Sequence, residues 1–362
     1  MCEGTLTTID SNDEAQWQAV LDEVGDYDFY HLPAYNRQGA EDESGKAVMF
    51  VYRESENLIA WPLIVRDIAS TDGLEETGKG LSDATSVYGY PGPIGRLSEN
   101  DEGLRERFAR SLEESFNSLG LLSAFSRMNP VLQNQTLLPA GFGELIGLGE
   151  TVSIDLTLEP DEQLKRMKKN TRYDIRRARR DGLEVHIDEE WKELETFVSL
   201  YHQSMERVDA KDYYFFDKPM FVRMKEYLGD RAKLFVGTHE GVVCAASMFI
   251  RTGNIIQYHL SGSRTDYAKM NGPKVLIDAA RVWGHAEGAK LLHLGGGLSS
   301  NEDDLFWQKT RFSPDRHKFH IWKWSSKSPA IDSLVEARKQ WLTTNGDPSV
   351  VDSGYFPAYR AF

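Results

Sequence analysis

The sequence predicts an α/β protein made of two domains on one plan, and three observations predict it. The chain has 362 residues, more than one ordinary domain uses and enough for two cores. Its 40% hydrophobic and 11% aromatic content is globular, not disordered or fibrous. Both halves repeat a coarse order, in which a hairpin of apolar strands is followed by a Gly-rich loop and a helix.

The elements follow in order. Asp13 to Val24 has helical spacing. Ala47 to Arg53 and Leu58 to Val65 cluster β-branched and apolar residues around Ser55, Glu56 and Asn57, which predicts two hairpin strands. Ile68 to Asp83 is polar and contains glycine, hence a loop. "SVYGYPGPIGR", Ser86 to Arg96, packs three glycines and two prolines into eleven residues and fits neither helix nor central strand. Glu102 to Leu119 reads as helix and Leu122 to Met128 as strand. A second domain opens with strand Val152 to Leu158, then Pro160 and Asp161 as the N-cap of a helix closed by Gly182. Helices at Trp191 to Arg207 and Lys218 to Leu228 precede strands at Ala232 to Thr238, Val242 to Arg251 and Asn254 to Ser261. A helix (Gly272 to Glu287) and strands at Lys290 to Leu294 and Lys318 to Trp324 complete it. The expected domains are 1–150 and 151–324, with a tail, 325–362, that holds one helix near Ile331 to Thr343.

Charge points to a local anion site. The net charge is -14, from 42 Lys+Arg against 56 Asp+Glu, which argues against a protein that coats nucleic acid or an anionic membrane, so any polyanion is met locally. Yet "KRMKKNTRYDIRRARR", Lys165 to Arg180, carries nine cations and one carboxylate, Asp174. On a helical wheel Leu164, Met167, Thr171, Ile175 and Ala178 share one sector, while Lys165, Lys169, Arg172, Arg176 and Arg180 share another. Like charges three and four apart repel, so a merely soluble helix would interleave glutamates. The stripe is read as a phosphate-binding face, because arginine offers paired donors of matching geometry.

Other classes are set aside. Cys2 and Cys244 do not suggest a disulfide. Nine scattered histidines show no metal-ligand spacing, and His259 alternates with apolar neighbours on a strand as a core or cleft residue would. No Gly-x-Ser-x-Gly elbow appears, so a covalent acyl-enzyme lacks support. No signal peptide or apolar run of about 18 residues is visible. The expectation is a soluble cytoplasmic protein without metal or stable membrane insertion.

Several stretches resemble the Fem-type aminoacyltransferases, a family of two tandem GNAT-like acyltransferase domains. "NTRYDIRRARRDGLEV" (Asn170 to Val185) is similar to its Arg-x-x-Ile-Arg-x-Ala-x-x-x-Gly segment, and "SVYGYPGPIG" to its Tyr-Gly-Tyr-x-Gly loop. "FVSLYHQSMERVDAKDYYF" (Phe197 to Phe215) resembles its helix with a Tyr and a later Arg, here Tyr201 and Arg207. The stretch from Tyr258 to Gly297 resembles its strand, loop and helix core, and "DLFWQKTRFS" its Leu-x-x-Phe-Lys-x-x-Phe signature, with Lys309 and Phe312 in register. The chain departs where Gln308 replaces the signature Phe and His293 stands for the usual Asp, and it lacks the coiled-coil arm of some members.

The resemblance implies mixed central sheets flanked by helices, a tail that returns to the first domain, and acyl transfer to an amine without a bound cofactor. It implies an aminoacyl group from aminoacyl-tRNA, delivered to a nucleotide- or lipid-linked cell-wall precursor. The alternative is acyl-CoA-dependent acylation of an amino sugar, amino acid or secondary metabolite. It casts Lys309 as the catalytic cation for the oxyanion or departing ribose hydroxyl. Arg172 and Arg176 would hold a diphosphate or tRNA phosphate, with Lys165 and Lys169 around them and Tyr201, Arg207, Tyr214 and Tyr258 toward the acceptor. In such folds the donor enters a splay between central strands and meets the next helix start, here Asn271, Gly272 and Lys274, with Gly296 giving backbone room. Glu302, Asp303 and Asp304 lie nearby, and no general base is assigned.

Overall fold

The computed structural model describes residues 4–98, 102–208, 210 and 215–361, without the Ser299 side chain. The chain forms two compact units, Met1–Leu148 with Phe319–Phe362, and Gly149–Lys318.

In the first unit β1 (Thr5–Asp10), β2 (Gly45–Glu54), β3 (Asn57–Asp67), β4 (Ser82–Thr85), β6 (Leu121–Arg127) and the part of β13 (Arg316–Ser325) from Phe319 onward lie side by side in that order. The short β5 (Ile94–Arg96) pairs with β3. Among the described strands of this unit only β4 and β6 run parallel. Ser55, at φ 54°, turns the β2–β3 hairpin where the sequence places it. Helix α1 (Glu14–Val24) is capped by Asp13, whose carboxylate accepts from the Gln16 N–H. With α2 (Pro33–Asp42) and α3 (Glu102–Ser118) it flanks the sheet. Phe50, Trp61, Phe108, Phe116, Trp322 and Trp324 form the core.

The sequence assigns the strand ending at Trp324 to the second domain. Its residues Ile321 to Ser325 pair instead with β6, so this stretch belongs to the first unit. The tail carries α10 (Ala330–Asn345) and packs in the same unit, where the Tyr359 and Ser123 hydroxyls meet at 2.7 Å and the Arg360 guanidinium reaches buried Asp83 at 2.5 Å.

The second unit orders its strands β7 (Glu144–Asp155), β12 (Leu291–Gly295), β11 (Ile255–Ser263), β10 (Val242–Thr252), β9 (Ala232–His239) and β8 (Glu184–Ile187). All neighbours are antiparallel except β11 and β12. The helices are α4 (Pro160–Arg166), α5 (Lys169–Arg180), α6 (Leu194–Arg207), α7 (Lys218–Leu228), α8 (Gly272–Ala286) and α9 (Asp304–Lys309). Val152, Ile154, Phe235, Phe249, Leu276 and Leu292 sit at the core, as expected for strands covered by helices.

The single basic helix expected from Asp161 is two helices. Glu159, not Asp161, is the N-cap, and Met167 and Lys168 are extended, with ψ 151° and 144°. There the Lys168 N–H donates to the Arg311 carbonyl at 2.9 Å rather than to its own helix. Met167 is nevertheless buried, in line with Thr171, Ile175 and Ala178, so the apolar stripe survives the break. Gly182, at φ 93°, ends α5 after Asp181 in a left-handed turn. Its N–H donates to Arg179 and that of Leu183 to Ala178, a double closure that glycine makes without strain.

Helix α6 lies directly on β11. A Cβ on Gly262 would come within 2.3 Å of the Leu200 carbonyl carbon and 2.4 Å of the Tyr201 nitrogen, both backbone atoms. Gly262→Ala therefore has to lift the helix, and a loss of about 1–3 kcal/mol is expected in urea unfolding. Unchanged stability would show that α6 has slack here.

Candidate functional site

The parallel pair at the centre of the second unit opens. Strand β11 pairs with β12 only over Ile255 to Gln257, against Leu291 to His293, although it continues to Ser263. A register shift between Met248 and Phe249 on β10 leaves His259 as the extra residue on β11, and such bulges bend a strand and re-aim side chains. The two central strands therefore part just beyond Gln257 and His293.

At that fork a row of polar side chains crosses three strands. Gln257 pairs with His293 and His293 with Ser153, and all three are buried. His293 Nδ1 donates to Gln257 Oε1 at 2.7 Å, because a carbonyl oxygen only accepts. This defines the Nδ1–H tautomer and leaves Nε2 an acceptor. Ser153 Oγ lies 2.7 Å from His317 Nε2, and the two imidazoles stand 6.3 Å apart. Burial holds His293 well below the usual histidine range, with His317 and Lys309 adding to the effect, so the ring is neutral.

Lys309 ends α9, and its Nζ donates to the Gly296 carbonyl at 2.6 Å, just past β12. Burial lowers its pKa to about 8, against a weaker opposing pull from Asp303. Asp303 is committed to structure: its carboxylate accepts from the Phe306 and Leu298 N–H groups, both at 2.8 Å, and caps α9. The fork thus holds a titratable cation, Lys309, beside a neutral imidazole, a field suited to an oxyanion formed within reach of the ammonium.

The cations of α5 divide into two sets. Three polar groups clamp α5 to α8 and the turn before it. Arg179 meets buried Asp278 at 2.7 Å, Arg177 donates to the Lys269 carbonyl at 3.0 Å, and Asp174 pairs with Lys274 at 2.6 Å. Arg166 pairs with Asp315, and Arg180 with Asp181. Among the described residues no carboxylate pairs with Lys165, Lys168, Lys169, Arg172 or Arg176. Arg176 Nε donates to the Arg172 carbonyl at 3.2 Å, and Arg172 Nε is buried without a partner. Beside this set lies an open groove of about 880 Å³ lined by Lys168, Lys169, Asn170, Tyr173, Trp307, Thr310 and Arg311.

Asn271, Gly272 and Lys274 come together at the start of α8. Asn271 is left-handed at φ 51°, its Oδ1 accepts from Lys274 Nζ, and Gly272 presses on Ala245 of β10. Gly296 lies with Lys309 instead. Tyr201 is buried, stacked on Phe216 and packed against Phe197 and Phe221, which makes its ring part of the core of that helix layer. Arg207 donates to the Ser263 carbonyl at 2.9 Å and to Ser204 Oγ at 2.7 Å, so it holds the end of β11. The Tyr258 ring packs on Phe249, and burial raises its pKa while the Ser261 and Ser247 hydroxyls oppose the rise. Tyr214 lies outside the described residues. Sequence reasoning missed Gln257, His317 and Ser153. They come from three segments with no common spacing, and only the odd His293 before "LGGG" hinted at the row.

No group of His, Cys, Asp and Glu that could hold a metal occurs among the described residues, and no helix there is long and apolar enough to cross a membrane.

Residues 165–303 match the acetyltransferase (GNAT) domain family. The chain is 29% identical over 200 residues to the UDP-N-acetylmuramoylpentapeptide-lysine N(6)-alanyltransferase of Weissella viridescens. That match covers 53% of this chain and 57% of the relative, so the chain spans little more than half the length of that curated protein. The crystal structure of FemX superposes with a TM-score of 0.67 at 12% identity, covering 91% of this chain and 99% of FemX. The C-terminal domain of a putative lysylphosphatidylglycerol synthetase from Agrobacterium fabrum follows, with a TM-score of 0.53 at 14% identity and coverage of 90% and 95%. Residues 165–303 match the acetyltransferase (GNAT) domain family, and the chain as a whole shares the fold of FemX.

Proposed function

We propose that this protein transfers an aminoacyl group from aminoacyl-tRNA to an amino group of a phosphorylated cell-wall precursor. The observation that carries the reading is Lys309, held on Gly296 beside the neutral His293 where β11 and β12 separate. A neutral acceptor amine attacks the ester carbonyl, the new C–N bond forms, and the carbonyl oxygen takes up negative charge. As the C–O bond to the ribose breaks, the proton lost by the amine balances the new ribose hydroxyl. Lys309 leaves the Gly296 carbonyl to stabilise the oxyanion and the departing oxygen. The alanyltransferase relative supports this reaction class.

Coenzyme A is the alternative donor, and the two donors are separated by experiment. Incubation of the protein with a UDP-muramoyl pentapeptide and either alanyl-tRNA or acetyl-CoA tests the reading by product mass. Acylated product from acetyl-CoA alone overturns the donor assignment.

Arg172 and Arg176 are the proposed phosphate ligands. Arg172→Ala or Arg176→Ala is expected to raise KM for the phosphorylated reactant about tenfold or more, with little change in kcat, since a charge-assisted contact is worth about 1.5–3 kcal/mol. Initial rates against substrate concentration check this, and unchanged kinetics in both variants remove the assignment.

A further inference from the structure

Two large aromatic side chains stand in solvent beside the unpaired cations. Tyr173 on α5 is 57% exposed and Trp307 on α9 is 50% exposed, although the adjacent Phe306 is buried. Both line the groove with Lys168, Lys169 and Arg311, and no lining residue is acidic. None of the three cations has a carboxylate partner among the described residues, in a chain whose net charge is -14. The extended break at Met167 and Lys168 makes the arrangement. By giving its N–H to the Arg311 carbonyl, Lys168 stitches the start of α5 to the turn after α9. Trp307 is two residues before Lys309, so the groove shares its short helix with the proposed reaction centre.

We propose that this groove is a platform for the single-stranded 3′ end of an RNA, with bases stacked on Trp307 and Tyr173 and phosphates held by Lys168, Lys169 and Arg311. The proposal rests on the aminoacyl-tRNA reading and deepens it. Exposed aromatic faces interleaved with cations recognise unpaired bases, because every base offers a π-face while its backbone tracks the charge. A duplex keeps its bases stacked on one another and has none to offer. A membrane interface also attracts tryptophan, tyrosine and lysine, and competition with lipid vesicles separates that occupant from a single strand.

The test uses the full-length protein and a short fluorescent single-stranded RNA ending in CCA, followed by polarisation. Trp307→Ala is expected to weaken binding at least about fivefold, and Trp307→Phe to keep it within about twofold, because the ring face does the stacking. Lys168→Ala and Lys169→Ala should each reduce the slope of log affinity against log salt by about 0.7, one phosphate apiece. Equal binding by Trp307→Ala, equal binding of the same RNA in a blunt duplex, or displacement by UDP or by phosphatidylglycerol vesicles overturns the platform. Transfer assays separate the two ideas. If the wild type uses alanyl-tRNA and Trp307→Ala keeps its KM, the platform falls and the function stands. If the wild type transfers only from acetyl-CoA yet binds single-stranded RNA through Trp307, the platform stands and the donor reading falls.

Discussion

Lys309→Ala is expected to lower kcat by about 10²–10³ while KM for both reactants stays near wild type, the loss typical of removing one preorganised oxyanion donor. The pH profile carries a second signature. The acceptor amine must be neutral, so the rate climbs with pH on the acid side. Lys309 must be charged, so the rate should fall as pH rises through about 8, its lowered value. Stability runs the other way. The folded state binds fewer protons than the unfolded state between about 8 and the ordinary lysine value of 10.5, so this residue adds stability as pH rises across that window. Lys309→Met removes a buried charge and should keep the melting temperature at or above wild type while abolishing the limb near 8. Wild-type kcat in either variant, or an alkaline limb unmoved in Lys309→Met, would sink the catalytic role.

Asp278→Ala should give the largest loss of stability, about 3–5 kcal/mol, because it strands a buried guanidinium. Asp278 and Arg281 on α8 are each 2% exposed, and their carboxylate and guanidinium meet at 2.6 and 2.8 Å. Arg281 also donates to the Pro160 carbonyl at 2.9 Å and to Gln163 Oε1 at 3.2 Å, which ties α4 to α8. The other Asp278 oxygen holds Arg179 of α5. Arg179→Ala should cost only about 0–1 kcal/mol, since that side chain is half exposed and leaves water to solvate what remains. Urea unfolding followed by tryptophan fluorescence compares the two. Similar losses from both variants would mean that the network is not the buried anchor described here.

Much of the fold was legible because its signals are local. The β2–β3 hairpin announces itself through apolar strands around Ser55, and α8 through Gly272 and Pro273 before a run of helical spacing. The elements α2, β1 and β8 carry no such signal, since short segments mix polar and apolar residues without a clean period. Within the site, a motif points to Lys309, which sits at the fork, and the same kind of match points to Tyr201, which lies in an aromatic core. A motif marks a position on the chain, and the direction of the side chain depends on which element packs against it.

Composition and periodicity alone determined a two-domain α/β chain, an acidic protein with one cationic face, and the buried stripe Thr171, Ile175 and Ala178 beneath that face. Tertiary structure decided the rest. It chose which cations Asp278 and Asp315 neutralise and which are left to face a groove. It broke the basic helix at Met167 and Lys168, where no proline or glycine marks a stop, because the Arg311 carbonyl competes for the Lys168 N–H. It also assembled Gln257, His293 and Ser153 into one row. Burial repeats with the period of a single element and is written along the chain, whereas the partner of a charge or an imidazole is supplied by segments far away in sequence, and only packing brings them within a few ångströms.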